Sequence, residues 1–273
     1  MACILKGTNS MTRARWKKLL HNYLPTIIST ITLLIFWQLS CEFYKIPENS
    51  IPTPTDIAKA TCDVWPQLWP ATLATIEETV IGFSLAIVCG ILLGVLFHVC
   101  KLVHAALFPL LCAAQTLPLI SIAPLFLIWF GFEMSGKIVI VAIFSMFPIA
   151  VQTIRGLDAV PSFYSDVALT CGAGRVWTLW HVKLRIAARQ IFGGIRISTA
   201  YVFGAATTAE YLGARQGLGI WLQAAYNSFR TPLIFSATFV IIAFTAILMG
   251  VVNISERLLL GPVEDDEDPD NQM

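Results

Sequence analysis

The residues able to do chemistry are few, and their spacing argues against catalysis. The four histidines (His21, His98, His104, His181) form no HExxH or HxxxH pair, and no GxSxG nucleophile elbow occurs. The seven cysteines (Cys3, Cys41, Cys62, Cys89, Cys100, Cys112, Cys171) make no CxxC pair and follow no metal-ligand spacing. Most lie inside apolar runs, where a free thiol acts as a small hydrophobe. Gly172-Ala173-Gly174-Arg175 superficially resembles a phosphate loop, but it lacks the GxxxxGK[ST] order and no strand precedes it. The sequence therefore predicts no catalytic residue, no metal site and no cofactor site in this chain.

The polar residues that stand out lie in one segment and at a few points within apolar runs. SDVALTCGAGRVWTLWHVKLRI (165–186) carries an acid, four basic residues including His181, two tryptophans and two close glycines. Gln115, Thr116 and Ser121 lie beside Pro118 and Pro124, where a bent helix can turn polar groups toward a cavity or satisfy its own freed backbone groups. Glu210 precedes a glycine-rich stretch (Gly213, Gly217, Gly219). It either lines an outer gate or pairs with Arg215 at the surface, and pairing is the favoured reading because charge near an interface is cheap to solvate.

The elements that must position these groups are membrane helices. Of 273 residues, 56% are hydrophobic and only 13% charged; mean hydropathy is +0.72. A soluble domain carries about a quarter charged residues. Apolar runs of about 20 residues, enough to cross a bilayer as a helix, recur at about 26–44, 75–98, 103–130, 137–154, 190–210 and 232–254. The expected fold is all-α and polytopic, with six transmembrane helices. Span two contains Gly90-x-x-x-Gly94, a spacing that permits close helix packing. Span three is long and interrupted by Pro109, Pro118 and Pro124.

Orientation follows from Lys and Arg. Lys6, Arg13, Arg15, Lys17, Lys18, Lys101, Arg155, Arg175, Lys183, Arg185, Arg189 and Arg257 fall on one side. Only Lys45, Lys59, Lys137, Arg215 and Arg230 fall on the other. The positive-inside rule then puts both termini in the cytoplasm, with 1–25 as an N-terminal segment and 26–258 as the membrane domain. RARWKK (13–18) before an apolar run reads as the flank of an uncleaved first helix rather than a signal peptide. Arg196, near the inner end of span five, is placed to snorkel to headgroups. The outer segment 45–74, with five prolines plus Trp65 and Trp69, is expected to lie partly on the membrane surface. Cys41 and Cys62 both fall outside, which leaves a disulfide between them open. The tail EDDEDPDNQM (264–273) is acidic and expected to be disordered. Net charge is +1, which gives no field for nucleic acid.

The loop at about 161–186 is the longest internal cytoplasmic one. Pro161-Ser162 predicts a helix start with a serine cap, followed by a short helix over 163–171 with Asp166 in its first turn. Gly172 suits the left-handed conformation that ends a helix. A second helix should begin near Arg175, with Val176, Leu179, Trp180 and Leu184 sharing one face. The result would be a small amphipathic projection, either a connector resting on the membrane or a docking element for another protein.

These residues resemble the permeases of bacterial ABC importers, whose loop signature is E-A-A-x-x-x-G, nine residues, then I-x-L-P. Here Asp166-Val167-Ala168-x-x-x-Gly172 is followed by nine residues and Val182-x-Leu184-Arg185, with arginine in place of the proline. QTLPLISIAPLFLIWFG (115–131), SGKIVIVAIFSMFPIAVQTIRGLDAV (135–160) and AEYLGARQGLGIWLQAA (209–225) are similar to the nitrate, sulfonate, taurine and thiamine-precursor group of that family. The resemblance implies a type I importer permease in a bacterial cell membrane, working as a homodimer. It implies ATPase subunits docked inside, which bind the ATP and Mg, and an extracytoplasmic binding protein outside. It assigns Asp166, Ala168, Gly172, Val182 and Leu184 to the coupling loop, and leaves Gln115, Thr116, Ser121 and Glu210 as candidate path residues. Thr75-x-x-Glu78-x-x-x-Gly82-Phe83 is more similar to permeases for thiamine-precursor pyrimidines than to those for sulfonates, so a pyrimidine or related heterocycle is the expected solute. The alternatives are sulfonate, taurine or nitrate through the same machinery, or a carrier or channel that needs no ATP.

Overall fold

The computed structural model describes residues 24–25 and 27–261. Most of the N-terminal segment and all of the acidic stretch 264–273 lie outside the described residues. Among those described there is no strand. The helices are α1 Ile27–Phe43, α2 Pro54–Val99, α3 Lys101–Ala114, α4 Leu119–Phe130, α5 Met134–Asp158, α6 Ser162–Thr170, α7 Arg175–Thr178, α8 Leu184–Gly213, α9 Leu218–Asn227 and α10 Thr231–Leu260. A single π turn, Leu179–Lys183, joins α7 to α8.

Each of the six expected spans falls on a helix or a helix pair, and the differences are informative. By length and composition α2, α5 and α10 can each cross a membrane, and α3 and α4 qualify only together, as a broken span or a re-entrant loop. The third expected span is therefore not one long helix. It breaks at Gln115–Pro118, and the two halves meet at 109°. Pro118 has no N–H to give and disfavours helical geometry at Leu117. Pro109 and Pro124 sit inside α3 and α4 without ending them.

The second span is longer than expected. Residues 54–74 belong to α2, with Pro66 and Pro70 inside the helix rather than breaking it. Pro54 occupies the first helical position, where its missing N–H costs nothing, and the Thr53 hydroxyl accepts the Asp56 N–H at 3.2 Å. That T-x-x-D start fixes the helix N-terminus well before the apolar run.

The described residues form two compact units. In the first (residues up to Val64, with Phe229–Ser236), Trp37 and Phe235 meet with ring centroids 5.7 Å apart. There Thr61 donates to the Ser236 hydroxyl at 2.8 Å. Cys41 is buried and Cys62 exposed, both as free thiols, so the open disulfide does not form.

In the second unit (Trp65–Ser228 and Ala237 onward) the core is shared by α2, α5, α8 and α10. Phe83, Ala86, Ile149, Leu157, Ile191, Val202, Phe203 and Val252 are buried there together. Glycines set the spacing of α2 against α5. A Cβ on Gly90 would sit 2.9 Å from the Met146 carbonyl, and one on Gly94 would sit 2.5 Å from Thr153 Cβ. The small residues let backbones approach where lipid supplies no hydrophobic drive. The large apolar residues left exposed, such as Leu85, Val88, Leu92 and Ile247, suit a surface solvated by lipid.

Candidate functional site

The loop forms from short helices that the sequence anticipated in outline. α6 starts at Ser162, one residue early, so Asp166 lies in its second turn rather than its first. Ser162 does not cap it; the N-cap is Pro161, with no side-chain hydrogen bond. Gly172 has φ +88° and ends α6 through N–H bonds from Gly172 to Leu169 O and from Ala173 to Ala168 O, each 3.0 Å. Beyond it the chain does not turn a second time. Arg175 to Gly213 is helical throughout, interrupted only by the π turn. Arg185 sits one residue inside α8, where the family has proline, and a proline there would remove an intrahelical bond. Span five is accordingly entered straight from the loop.

The expected apolar face divides. Leu179 and Leu184 pack on the core, whereas Val176 and Trp180 are exposed, as are Phe163, Tyr164, Val167 and Trp177. Asp166 and Gly172 are exposed and Ala168 is partly buried. Tyr164, Val167, Ala168, Gly172, Trp177 and Val182 border an open groove of about 650 Å³. The loop is tied to the helix bundle through His98, at the end of α2. Lys183 donates to His98 Nε2 at 3.2 Å. With Nε2 accepting, Nδ1 carries the proton and donates to Asp158 Oδ1 at 2.6 Å, at the end of α5.

At the other end of α8 lies a buried polar cluster that sequence reasoning recognised only in pieces. Glu210 is fully buried and does not pair with Arg215. Its Oε1 accepts from the Thr75 hydroxyl at 2.6 Å and its Oε2 from the Gly219 N–H at 2.7 Å. Thr75 Oγ1 in turn accepts the Leu218 N–H at 2.9 Å. The first two N–H groups of α9 are thus satisfied by α8 and α2, as a helix start requires. Gly217, at φ +125°, and Gly219 both leave room for Glu210, since a Cβ on either would overlap it.

Beside it Glu78 forms an ion pair with Lys137. Glu78 is 2% and Lys137 5% exposed, so neither is the boundary residue that the apolar runs suggested. Glu78 Oε2 has no hydrogen-bond partner among the described residues. Glu77, Glu133, Lys137, Arg215 and Gln216 border a cavity of about 300 Å³ next to the pair. Apolar periodicity could not place Lys137 here, because a lysine three residues into a helix reads as a surface flank.

Of the other expected path residues, Gln115, Thr116 and Ser121 are all exposed at the α3–α4 break. Thr116 bonds its own helix end, donating to Ala113 O at 2.8 Å. Gln115 borders a cavity of about 500 Å³ shared with α5 and α8. Arg196 does not snorkel alone; it pairs with Glu256 of α10 at 3.2 Å.

A membrane protein whose described residues are helical, with a glycine-hinged loop and a sharply bent helix pair next to a cavity, is of the permease type, and comparison agrees. The chain belongs to the family described as binding-protein-dependent transport system inner membrane component, which matches residues 86–260. It is therefore a multi-pass inner-membrane protein of an importer family. It is 31% identical over 240 residues to the formylaminopyrimidine transport permease protein of Halalkalibacterium halodurans, covering 86% of this chain and 94% of that one. It is 31% identical to the riboflavin transport system permease protein of Chloroflexus aurantiacus, covering 92% of each. It is 25% identical to the taurine transport system permease protein of Escherichia coli, covering 94% and 97%. A chain of the MetNI methionine ABC transporter, solved in inward-facing conformations, superposes with a TM-score of 0.62 over 71% of this chain and 98% of its own, at 16% identity. That likeness shows the fold, a type I importer permease.

Proposed function

We propose that the chain is the non-catalytic membrane subunit of an ATP-driven importer, paired as a homodimer. ATPase subunits bind ATP and Mg on the cytoplasmic side, and an extracytoplasmic binding protein delivers solute on the other. Both termini are cytoplasmic, as the Lys and Arg distribution predicts. The solute is a pyrimidine or a related heterocycle; relatives named for formylaminopyrimidine and riboflavin support this reading over an oxyanion.

The observation that carries the ATPase assignment is the loop 161–186. It exposes Phe163, Tyr164, Val167 and Trp177 on helices as short as 9 and 4 residues. Such helices cannot be stable alone; here α7 continues into α8, and His98 fixes the joint to the bundle. A rigid projection continuous with a membrane helix can pass a partner's closure to that helix. Asp166, Ala168, Gly172, Val182 and Leu184 are the residues assigned to this coupling.

The test is reconstitution with the ATPase subunits and binding protein. Gly172→Pro, which cannot adopt φ +88°, and Asp166→Lys should each abolish solute-stimulated ATP hydrolysis while the permease still reaches the membrane. Normal stimulation in both variants would sink the docking assignment. Uptake by the permease alone, without ATPase subunits, would overturn the importer reading in favour of a carrier.

A further inference from the structure

The cavity of about 500 Å³ beside the α3–α4 break has a composition that narrows the solute. Phe144 and Phe147 of α5 stand on one side, in edge contact with ring centroids 6.3 Å apart. Tyr201, Gly204 and Thr208 of α8 stand on another, and Gln115 enters from the break. No lysine, arginine, aspartate or glutamate borders it. The volume lies in the range of small-ligand sites, about 300–1,000 Å³.

Three features suit a small molecule. First, Gly204 leaves open space: a Cβ there would meet nothing of this chain within 4 Å. Second, the walls are aromatic, and aromatic rings favour stacked or edge contacts with another ring. Third, the polar groups are spare. The Gln115 amide has no hydrogen-bond partner among the described residues, and Thr208, which donates to Gly204 O at 2.7 Å, keeps lone pairs free to accept.

We propose that this cavity recognises the transported solute, and that it takes a planar, uncharged, nitrogen-bearing aromatic ring. The proposal rests on the permease reading above and adds where and how solute is chosen. The ring lies against Phe144, Phe147 and Tyr201 in the space over Gly204. Its N–H and ring-nitrogen edge meets Gln115 and Thr208. An oxyanion such as a sulfonate would lose its hydration with no cation to replace it, and an organic cation would find no carboxylate. Charge is thereby rejected by what the cavity lacks.

The experiment is ATP-driven uptake in proteoliposomes holding the permease, ATPase subunits and binding protein, with a radiolabelled 4-aminopyrimidine and with taurine as probes. Wild type should import the aminopyrimidine and not taurine. Gly204→Leu, which fills the hollow without a clash, should cut uptake at least tenfold. Gly250→Leu, equally open but on α10 away from the cavity, should not. Gln115→Leu and Thr208→Val, near-isosteric losses of the polar groups, should raise the half-saturating concentration severalfold, and they decide the matter if Gly204→Leu fails to assemble with the ATPase. Equal uptake by Gly204→Leu and Gly250→Leu would overturn the site. Taurine uptake lost on Gly204→Leu would overturn the chemical class. A dimer that becomes monomeric with Gly204→Leu would make this face a contact between copies and overturn the ligand assignment. Failure of wild type to import either probe while ATP hydrolysis still responds to the binding protein would overturn this proposal alone. No such response at all would take the permease reading down with it.

Discussion

Lys137→Met should be among the most damaging single substitutions in the protein. Lys137 and Glu78 form an ion pair in which both side chains are almost wholly buried. Methionine keeps most of the lysine stem's volume and removes the charge. Glu78 is then left as a buried carboxylate without its ion-pair partner. Breaking a buried pair by removing one partner costs about 3–5 kcal/mol, and Lys137→Met belongs in that range. Replacing both partners is different, because the desolvation of both charges is then recovered. Glu78→Gln with Lys137→Met should therefore lose no more than about 1–2 kcal/mol. The assay is reversible unfolding in mixed micelles titrated with SDS, followed by tryptophan fluorescence, on both single variants and the double. A coupling energy of at least about 3 kcal/mol between the two sites is the expected outcome. If the double variant loses as much as the sum of the singles, the pair is not an interacting unit and the reasoning fails.

The same physics sets two further outcomes. Gly219→Ala should weaken the joint between α8 and α9, because its Cβ would overlap the Thr207 carbonyl and the Glu210 side chain. A loss of about 2–3 kcal/mol, with faster proteolysis around residues 214–218 as the readout, is expected from overpacking at backbone. Gly94→Val should separate α2 from α5 at Thr153 and lower thermal stability in detergent by several degrees. Gly250→Val on α10, where nothing lies within 4 Å, should leave it unchanged.

The loop shows how far local sequence carries. Gly172 was assigned to the left-handed region because a short helical pattern ended there, and φ of +88° is a local property of that turn. The end of the loop is not local. Whether Arg185 turned the chain or continued the helix depended on whether the bond geometry could be kept through a π turn at Leu179–Lys183 while Leu179 and Leu184 reached the core. No residue in the stretch announces that.

Apolar runs by themselves determined a polytopic helical protein and the approximate place of its long apolar helices, because each follows from what a single segment can bury or expose. Proline positions marked where span three would break, while the 109° angle came only with the packing of α4 against α5 and α8. Glycine spacing in α2 indicated close packing; that α5 is the helix received there was settled in three dimensions. The polar residues within spans were where sequence reasoning failed most clearly. Glu78, Lys137 and Glu210 each read alone as boundary charges, for a charge in lipid is costly. Only the fold brings Lys137 to Glu78 and Thr75 to Glu210. Partners 59 and 135 residues apart leave no periodic trace in a chain, and it is their meeting that makes buried charge tolerable.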